Sequence, residues 1–349
     1  MEKGAMGTLR HRALRLITSP GLSACFAPLM RDRATIFMLH RVSDAARGVQ
    51  GNEEAALRSG LAHLRRSGYP LVPLEELLAS LSGQAPPVHG AIAFTVDDGY
   101  EDQATRLAPI FADFDCPATI FVSTGFLDGQ LWFWWDRVEF VFRQTKVERL
   151  ELSLGGETRG YELGDAESRS QAQRDVTARL KRLPADDLDP SIAQLAKLGG
   201  VSVPDEPPEE YRPMSWDQLR ACESTGIRFG PHTVTHPILS QTSDARSEHE
   251  LSESWERLRT EANHPSPIFC YPNGQEGDFG EREFATLERL GLQGAVVGSA
   301  GYASGPAFRS QPFGAFQVKR FSYPDPIEHV IQYASGFERA KQLVRREAE

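Results

Sequence analysis

The chain has 349 residues, with 38 basic and 48 acidic side chains and a net charge of −10. That balance lacks the basic footprint of a nucleic-acid partner, and no apolar run reaches the roughly 18 residues of a spanning helix. The four cysteines, Cys25, Cys116, Cys222 and Cys270, lie far apart, which argues against a zinc knuckle, a redox dithiol or a disulfide framework.

In chain order, Arg10, His11, Arg12 and Arg15 precede an apolar stretch broken by Ser19-Pro20-Gly21, a poor signal peptide. Residues 14–30 form a weak amphipathic segment suited to peripheral association with a membrane surface, and residues 1–33 read as an arm. Residues 34–39 read as a buried strand ending in His40-Arg41, and 53–67 as a helix with Leu57, Leu61 and Leu64 on one stripe. A short helix (74–81), a strand (91–96), a helix (101–114) and a strand (117–124) follow. Strand, helix and strand at this spacing indicate βαβ units in a parallel sheet.

The alternation breaks after Gly125. Leu131-Trp132-Phe133-Trp134-Trp135-Asp136 holds three of the five tryptophans. A hairpin around Gly155-Gly156 is expected over 147–163, then two polar helices (165–183 and 190–198) and a Pro- and acid-rich linker (201–213). Residues 131–212 therefore read as an inserted subdomain in a barrel made of 34–130 and 213–349. Alternation resumes with a capping box from Ser215 to Gln218, strands near 227–230, 268–271, 293–297 and 317–321, and a final helix over 326–347. About seven strands alternate with helices, the pattern of a closed or nearly closed (β/α) barrel, with an open doubly wound sheet as the other architecture. Barrel chemistry sits at the C-terminal strand ends, where His40, Asp97, Asp98, His232, His236 and Tyr271 fall.

Asp97 and Asp98 are adjacent carboxylates at the end of the 91–96 strand. Neighbours in a strand face opposite ways, so both reach one site only if the chain leaves the pleat, as Gly99 permits. Two such charges need a cation or a shared proton. His232-Thr233-Val234-Thr235-His236-Pro237 offers two imidazoles on a loop. Two imidazoles and one carboxylate make a zinc-type site with open positions. Asp98, His232 and His236 are taken as the ligands, although on chemistry alone either carboxylate serves.

Three motifs, Phe94-Thr95-Val96-Asp97-Asp98-Gly99, His232-Thr233-Val234-Thr235-His236-Pro237 and Tyr271-Pro272-Asn273-Gly274, together resemble the NodB-type polysaccharide deacetylases of carbohydrate esterase family 4. The resemblance covers residues 34–128 and 213–335. It implies a distorted (β/α)7 barrel, a divalent metal, most often Zn2+, on Asp98, His232 and His236, and Asp97 as general base. The backbone N–H of Tyr271 would hold the oxyanion. An arginine that the family places ahead of its third motif is not in step here; Arg320 is the candidate to stand in, and it is grouped with Trp134 and Trp135 on the substrate side. The family's late histidine is also missing. Phe37-Met38-Leu39-His40-Arg41-Val42 instead resembles the N-terminal segment of permuted members, including deacetylases of poly-N-acetylglucosamine, which makes His40 the general acid.

The expected activity is removal of acetyl groups from N-acetylated sugars of an exopolysaccharide or its precursor, with an N-acetylated glycan as partner. A hydrolase of small cyclic amides or ureides on the same fold and a non-catalytic carbohydrate-binding relative are the alternatives. The expected location is the cytoplasm, at the membrane face where glycan precursors are assembled.

Overall fold

A computed structural model describes residues 24–346. Most of the amphipathic segment expected over 14–30 lies outside them; residues Ala24–Met30 form a 3-10 helix. Among the described residues no helix is long and apolar enough to cross a membrane.

Seven strands lie side by side, each parallel to its neighbour: β1 (Arg33–Leu39), β2 (Ile92–Asp98), β3 (Ala118–Val122), β6 (Ile227–Pro231), β7 (Ile268–Cys270), β8 (Gly294–Ala300) and β10 (Val318–Ser322), in the order β6-β3-β2-β1-β10-β8-β7. The short β9 (Ala303–Ser304) pairs antiparallel with β1. The gap between β6 and β7 narrows at one point, where Ser266 donates to the Phe229 carbonyl at 2.7 Å. Gly230 is needed there, because a Cβ would sit 2.6 Å from both the Ile268 carbonyl oxygen and the Phe121 ring. The result is the nearly closed barrel expected from the alternation, and the open doubly wound sheet is excluded.

Every residue of β2 and β3 is buried, as strands covered on both faces require. Side chains two apart share a face. Ala34, Ile36, Ala93, Phe121, Ile268, Cys270, Val296 and Val318 form one cluster, plugged by the leucines of a helix, Leu74–Ser82. The alternate residues Phe37, Phe94, Val96, Ile120 and Phe269 pack in the larger cluster that holds the outer helices. This parity carries Thr95, Asp97 and Arg320 to the inner face.

The chain between β3 and β6 forms α1 (Trp134–Gln144), the hairpin β4 (Arg149–Leu154) and β5 (Glu157–Glu162), α2 (Ala166–Leu180) and α3 (Ala185–Leu198). These elements share their own apolar cluster, including Val138, Leu152, Val176 and Leu195. The structure differs locally from the sequence reading. Residues Gln103–Leu107 are a π-helical turn inside the expected helix over 101–114. The helix expected to start at Pro190 starts at Ala185 and contains that proline. The final helix is two, Ile327–Ala334 and Phe337–Arg346, separated at Gly336 with φ +86°.

Candidate active site

Asp97 follows the inward parity of β2, but Asp98 should point the other way. It does not, because the strand ends in two left-handed residues, Asp98 at φ 95° and Gly99 at φ 101°. The bend thus begins one residue earlier than the glycine alone suggests. A Cβ on Gly99 would lie 2.7 Å from the Leu127 side chain. Gln103, in the π-helical turn, locks this corner by donating to the Asp97 and His40 carbonyls and accepting from the Gly99 N–H.

Asp97 is gripped by Arg320, Nη1 to Oδ1 at 2.7 Å and Nη2 to Oδ2 at 2.8 Å. The rest of the guanidinium is also committed, to the Thr95 hydroxyl, the Val297 carbonyl and Cys270 Sγ. All five donors of an arginine are then used. Arg320 is only 1 % exposed, so its expected place on the substrate side is corrected: it lies beneath Asp97, with no donor left for a ligand. Burial works to raise the Asp97 carboxyl, but Arg320, with smaller pulls from His40 and His232, holds it well below the usual carboxylate range.

Asp98 has no such partner. Burial, aided by the charges of Asp97 and Asp136 and opposed by His40 and Arg41, pushes it up to about 7. Its Oδ1 lies 3.7 Å from Nε2 of both His232 and His236. His232 Nδ1 is 2.7 Å from the Cys270 carbonyl, an acceptor that fixes the proton on Nδ1 and leaves Nε2 bare. Burial pushes His232 down to about 4, against the pull of Asp97 and the Cys270 carbonyl, and holds His236 well below the usual imidazole value, with His232 adding to the effect. Both imidazoles are therefore neutral at neutral pH, the form in which a histidine can ligate a metal.

The fit to a divalent metal is good. Asp98, His232 and His236 bring one ligand atom each within 4.8 Å of one another. Asp97, His232 and Cys270 form a second set of that size. That set is the poorer one, because Asp97 and Cys270 both face Arg320 and burial pushes the Cys270 thiol up, with Arg320 opposing.

The loop between the histidines depends on a residue that sequence reasoning missed. Thr233 and His236 have φ of 64° and 58°, strained for side chains of this size. Glu250, on the helix Asp244–Glu261, accepts from the Val234 and Thr235 N–H groups, each at 2.8 Å, and from the Thr235 hydroxyl. It is 2 % exposed. In a helix rich in charge it reads as one more solvated glutamate, and only the donors that converge on it reveal the role.

Tyr271 departs from expectation. Its N–H donates to the Val296 carbonyl at 3.3 Å, so that donor belongs to the sheet and the expected oxyanion role is corrected. Its ring stacks on Phe279 at 4.0 Å.

His40 ends β1 on the same inward parity but stands exposed at the site's edge. A cavity of 770 Å³ opens above the strand ends, lined by His40, Asp97, Asp98, His232, His236 and all of Leu131 to Trp135. Trp132 is buried against Phe140 and Tyr211 and serves packing. Trp134 and Trp135 are half-buried and face the cavity. Trp135 stacks on Phe133, meets His236 edge-on at 4.6 Å, and donates its indole N–H to the Tyr100 hydroxyl, which donates to Asp136.

The family described as polysaccharide deacetylase matches residues 170–295. The poly-beta-1,6-N-acetyl-D-glucosamine N-deacetylase of Escherichia coli strain K12 is 35 % identical over 81 residues, 23 % of this chain. That stretch spans only 12 % of the relative's length. Among solved structures, Streptococcus pyogenes deacetylase PplD in complex with acetate has a TM-score of 0.56 at 18 % identity, covering 86 % of this chain and 98 % of its own. IcaB from Ammonifex degensii has a TM-score of 0.53 at 15 % identity, covering 87 % and 97 %. The fold is the one shared with these two structures, and residues 170–295 are similar to the polysaccharide deacetylase family.

Proposed function

We propose that this protein is a metal-dependent hydrolase that removes acetyl groups from N-acetylated sugars of an exopolysaccharide or its precursor. The observation that carries the reading is the pairing of Asp98, His232 and His236, converging on one point, with a second carboxylate, Asp97, clamped beside them. Asp98, His232 and His236 would hold the metal, with Zn2+ favoured by two neutral imidazoles and one carboxylate. When bound, the metal supplies Lewis-acid polarisation of the acetamide carbonyl and a more acidic water.

The chain's own groups do the rest. Asp97, kept ionised by Arg320, takes the proton of the attacking water as the C–O bond forms. The negative charge that develops on the carbonyl oxygen needs a backbone donor. Pro272 has no N–H and that of Tyr271 is spent, so the N–H of Asn273, whose residue lines the cavity, is the donor we assign. His40 gives a proton to the nitrogen as the C–N bond breaks, so that acetate and a free amine leave. Trp134 and Trp135 offer flat apolar faces to a sugar ring. A cavity of 770 Å³ is larger than a small cyclic amide fills, which favours a glycan.

The test is acetate release from N-acetylglucosamine oligomers and acetylated polysaccharides. It is run on protein as purified, after chelation and after zinc is restored, with Asp97→Asn alongside. Release lost on chelation, recovered with zinc and absent in the variant is the expected result. A metal-loaded protein that frees no acetate from any of these glycans refutes the reading.

A further inference from the structure

The two histidines of the metal set are held in different ways. The His232 ring is fixed by a hydrogen bond, Nδ1 to the Cys270 carbonyl at 2.7 Å. The His236 ring is boxed by other rings: it meets Trp135 at 4.6 Å, His232 at 4.7 Å and Phe133 at 5.4 Å, all edge-on. Trp135 and Phe133 stack on each other, 4.3 Å apart and 10° from parallel. The place of Trp135 is in turn set by Tyr100, whose hydroxyl accepts from the indole N–H at 3.0 Å and donates to Asp136 at 2.8 Å. Tyr100 is 2 % exposed. Its ring touches Phe126 and Phe133 edge-on and carries the Arg41 guanidinium 4.2 Å from its centre. Tyr100 stands two residues after Asp98, and Trp135 and Asp136 lie in the first turn of α1. The unit therefore joins the corner that carries one ligand, Asp98, to the inserted segment, and that segment to another ligand, His236.

We propose that Tyr100 and Asp136 are positioning residues for the metal ligand His236, acting through the Trp135 indole. The inference rests on the assignment of Asp98, His232 and His236 as the metal set. His236 has a left-handed φ of 58°, a conformation that is unfavourable for its side chain, so its placement needs support from outside. Glu250 supports the backbone of that loop, and the aromatic box supports the ring. Ring packing tolerates a range of tilts. The hydrogen bonds behind Trp135 narrow that range, because they are directional and breaking either leaves a buried polar group unpaired. The Tyr100 hydroxyl uses its proton on Asp136 and a lone pair on Trp135, which gives the indole one setting. The indole N–H is thereby spent inside the protein, so Trp135 brings no hydrogen-bond donor to a ligand in the cavity.

The experiment uses the full-length protein and two readouts besides activity: zinc affinity by competition with a chromophoric chelator, and the visible spectrum of the Co2+-loaded form, which reports ligand geometry. Tyr100→Phe removes the hydroxyl and keeps the ring. It is expected to weaken zinc binding roughly tenfold and to change the Co2+ spectrum. Asp136→Asn keeps an oxygen acceptor and is expected to bind zinc as wild type does, whereas Asp136→Leu falls with Tyr100→Phe. Trp135→Phe removes the indole donor, and in that background Tyr100→Phe is expected to cost nothing further. Each variant is read after native circular dichroism is confirmed; should Tyr100→Phe not fold, Trp135→Phe carries the test, and unchanged zinc affinity in it overturns the proposal. A purely structural role lowers Tm and leaves the Co2+ spectrum of the folded protein as it was, and that result for Tyr100→Phe also overturns the proposal. Additive losses in the double variant overturn the route through Trp135. Wild-type protein that binds no zinc, or zinc binding that survives His236→Ala, overturns the metal assignment itself.

Discussion

Arg320 and Asp97 sit on different strands of the barrel wall and meet through two parallel hydrogen bonds of 2.7 and 2.8 Å, both side chains almost fully buried. The pair sets the charge of Asp97 and also the direction of its carboxylate. A fork of this kind fixes the carboxylate plane, which a point charge does not. Its cost is a desolvated ion pair, tolerable because Thr95, Val297 and Cys270 absorb the remaining donors.

Breaking the fork separates positioning from charge. Arg320→Lys keeps a cation but loses the second hydrogen bond, and is expected to lower kcat roughly 100-fold, the scale of a small misplacement of a reacting group, with KM little changed. Arg320→Ala leaves Asp97 buried and alone, and is expected to lose about 3–5 kcal/mol of stability. Steady-state kinetics and urea unfolding check the two; an Arg320→Lys protein with wild-type kcat refutes the positioning role.

His40→Ala is expected to reduce acetate release by roughly 10²–10⁴-fold, the usual worth of a general acid or base. Metal content should not change, because Asp98, His232 and His236 are untouched. Near-normal turnover excludes His40 as the acid, and loss of metal assigns it to the ligand set.

Glu250→Ala removes the acceptor of the Val234 and Thr235 N–H groups and of the Thr235 hydroxyl. Zinc affinity, measured by competition with a chromophoric chelator, is expected to fall by roughly 10–100-fold, as for other outer-shell partners of metal ligands. Unchanged affinity shows that the two strained loop residues hold their conformation without it.

The metal-free protein should lose stability as pH rises above neutrality. Asp136, 4 % exposed, is pushed up to about 8 by burial, against the hydrogen bond from Tyr100. An acid raised on folding contributes stability that is full below its unfolded value near 3.8 and is lost as pH rises through about 8. Asp98 behaves alike up to about 7. The lowered His232 and His236 act oppositely, their share being present above about 6.5 and lost as pH falls below it. The two trends offset each other in mild acid, and above about 6.5 only the acids remain. Tm of the metal-free protein is thus expected to fall between about pH 6.5 and 8, and Asp136→Asn to flatten that fall. An unchanged slope in the variant refutes the assignment to Asp136.

Much of the site was legible in the sequence because its pieces are local. The short apolar run over 91–96 placed Asp97 and Asp98 at a strand end, and the spacing of His232 and His236 with Pro237 behind them marked a loop. The strand and helix alternation predicted a barrel, since buried parallel strands and their crossovers leave a strong pattern. Other features have no local signature. The sheet register alone brings Arg320 beneath Asp97 across more than two hundred residues of chain, and an arginine at the end of a strand looks the same whether it faces solvent or a buried acid. Glu250 sits in a helix rich in charge, so its inward turn follows from packing. The Tyr271 N–H is spent because β7 pairs with β8 up to that point, a matter of strand length that the motif does not encode. Short-range pattern determined the elements and the chemistry-bearing residues; long-range register and packing decided which of them touch, because contacts between distant segments exist only once the barrel has closed.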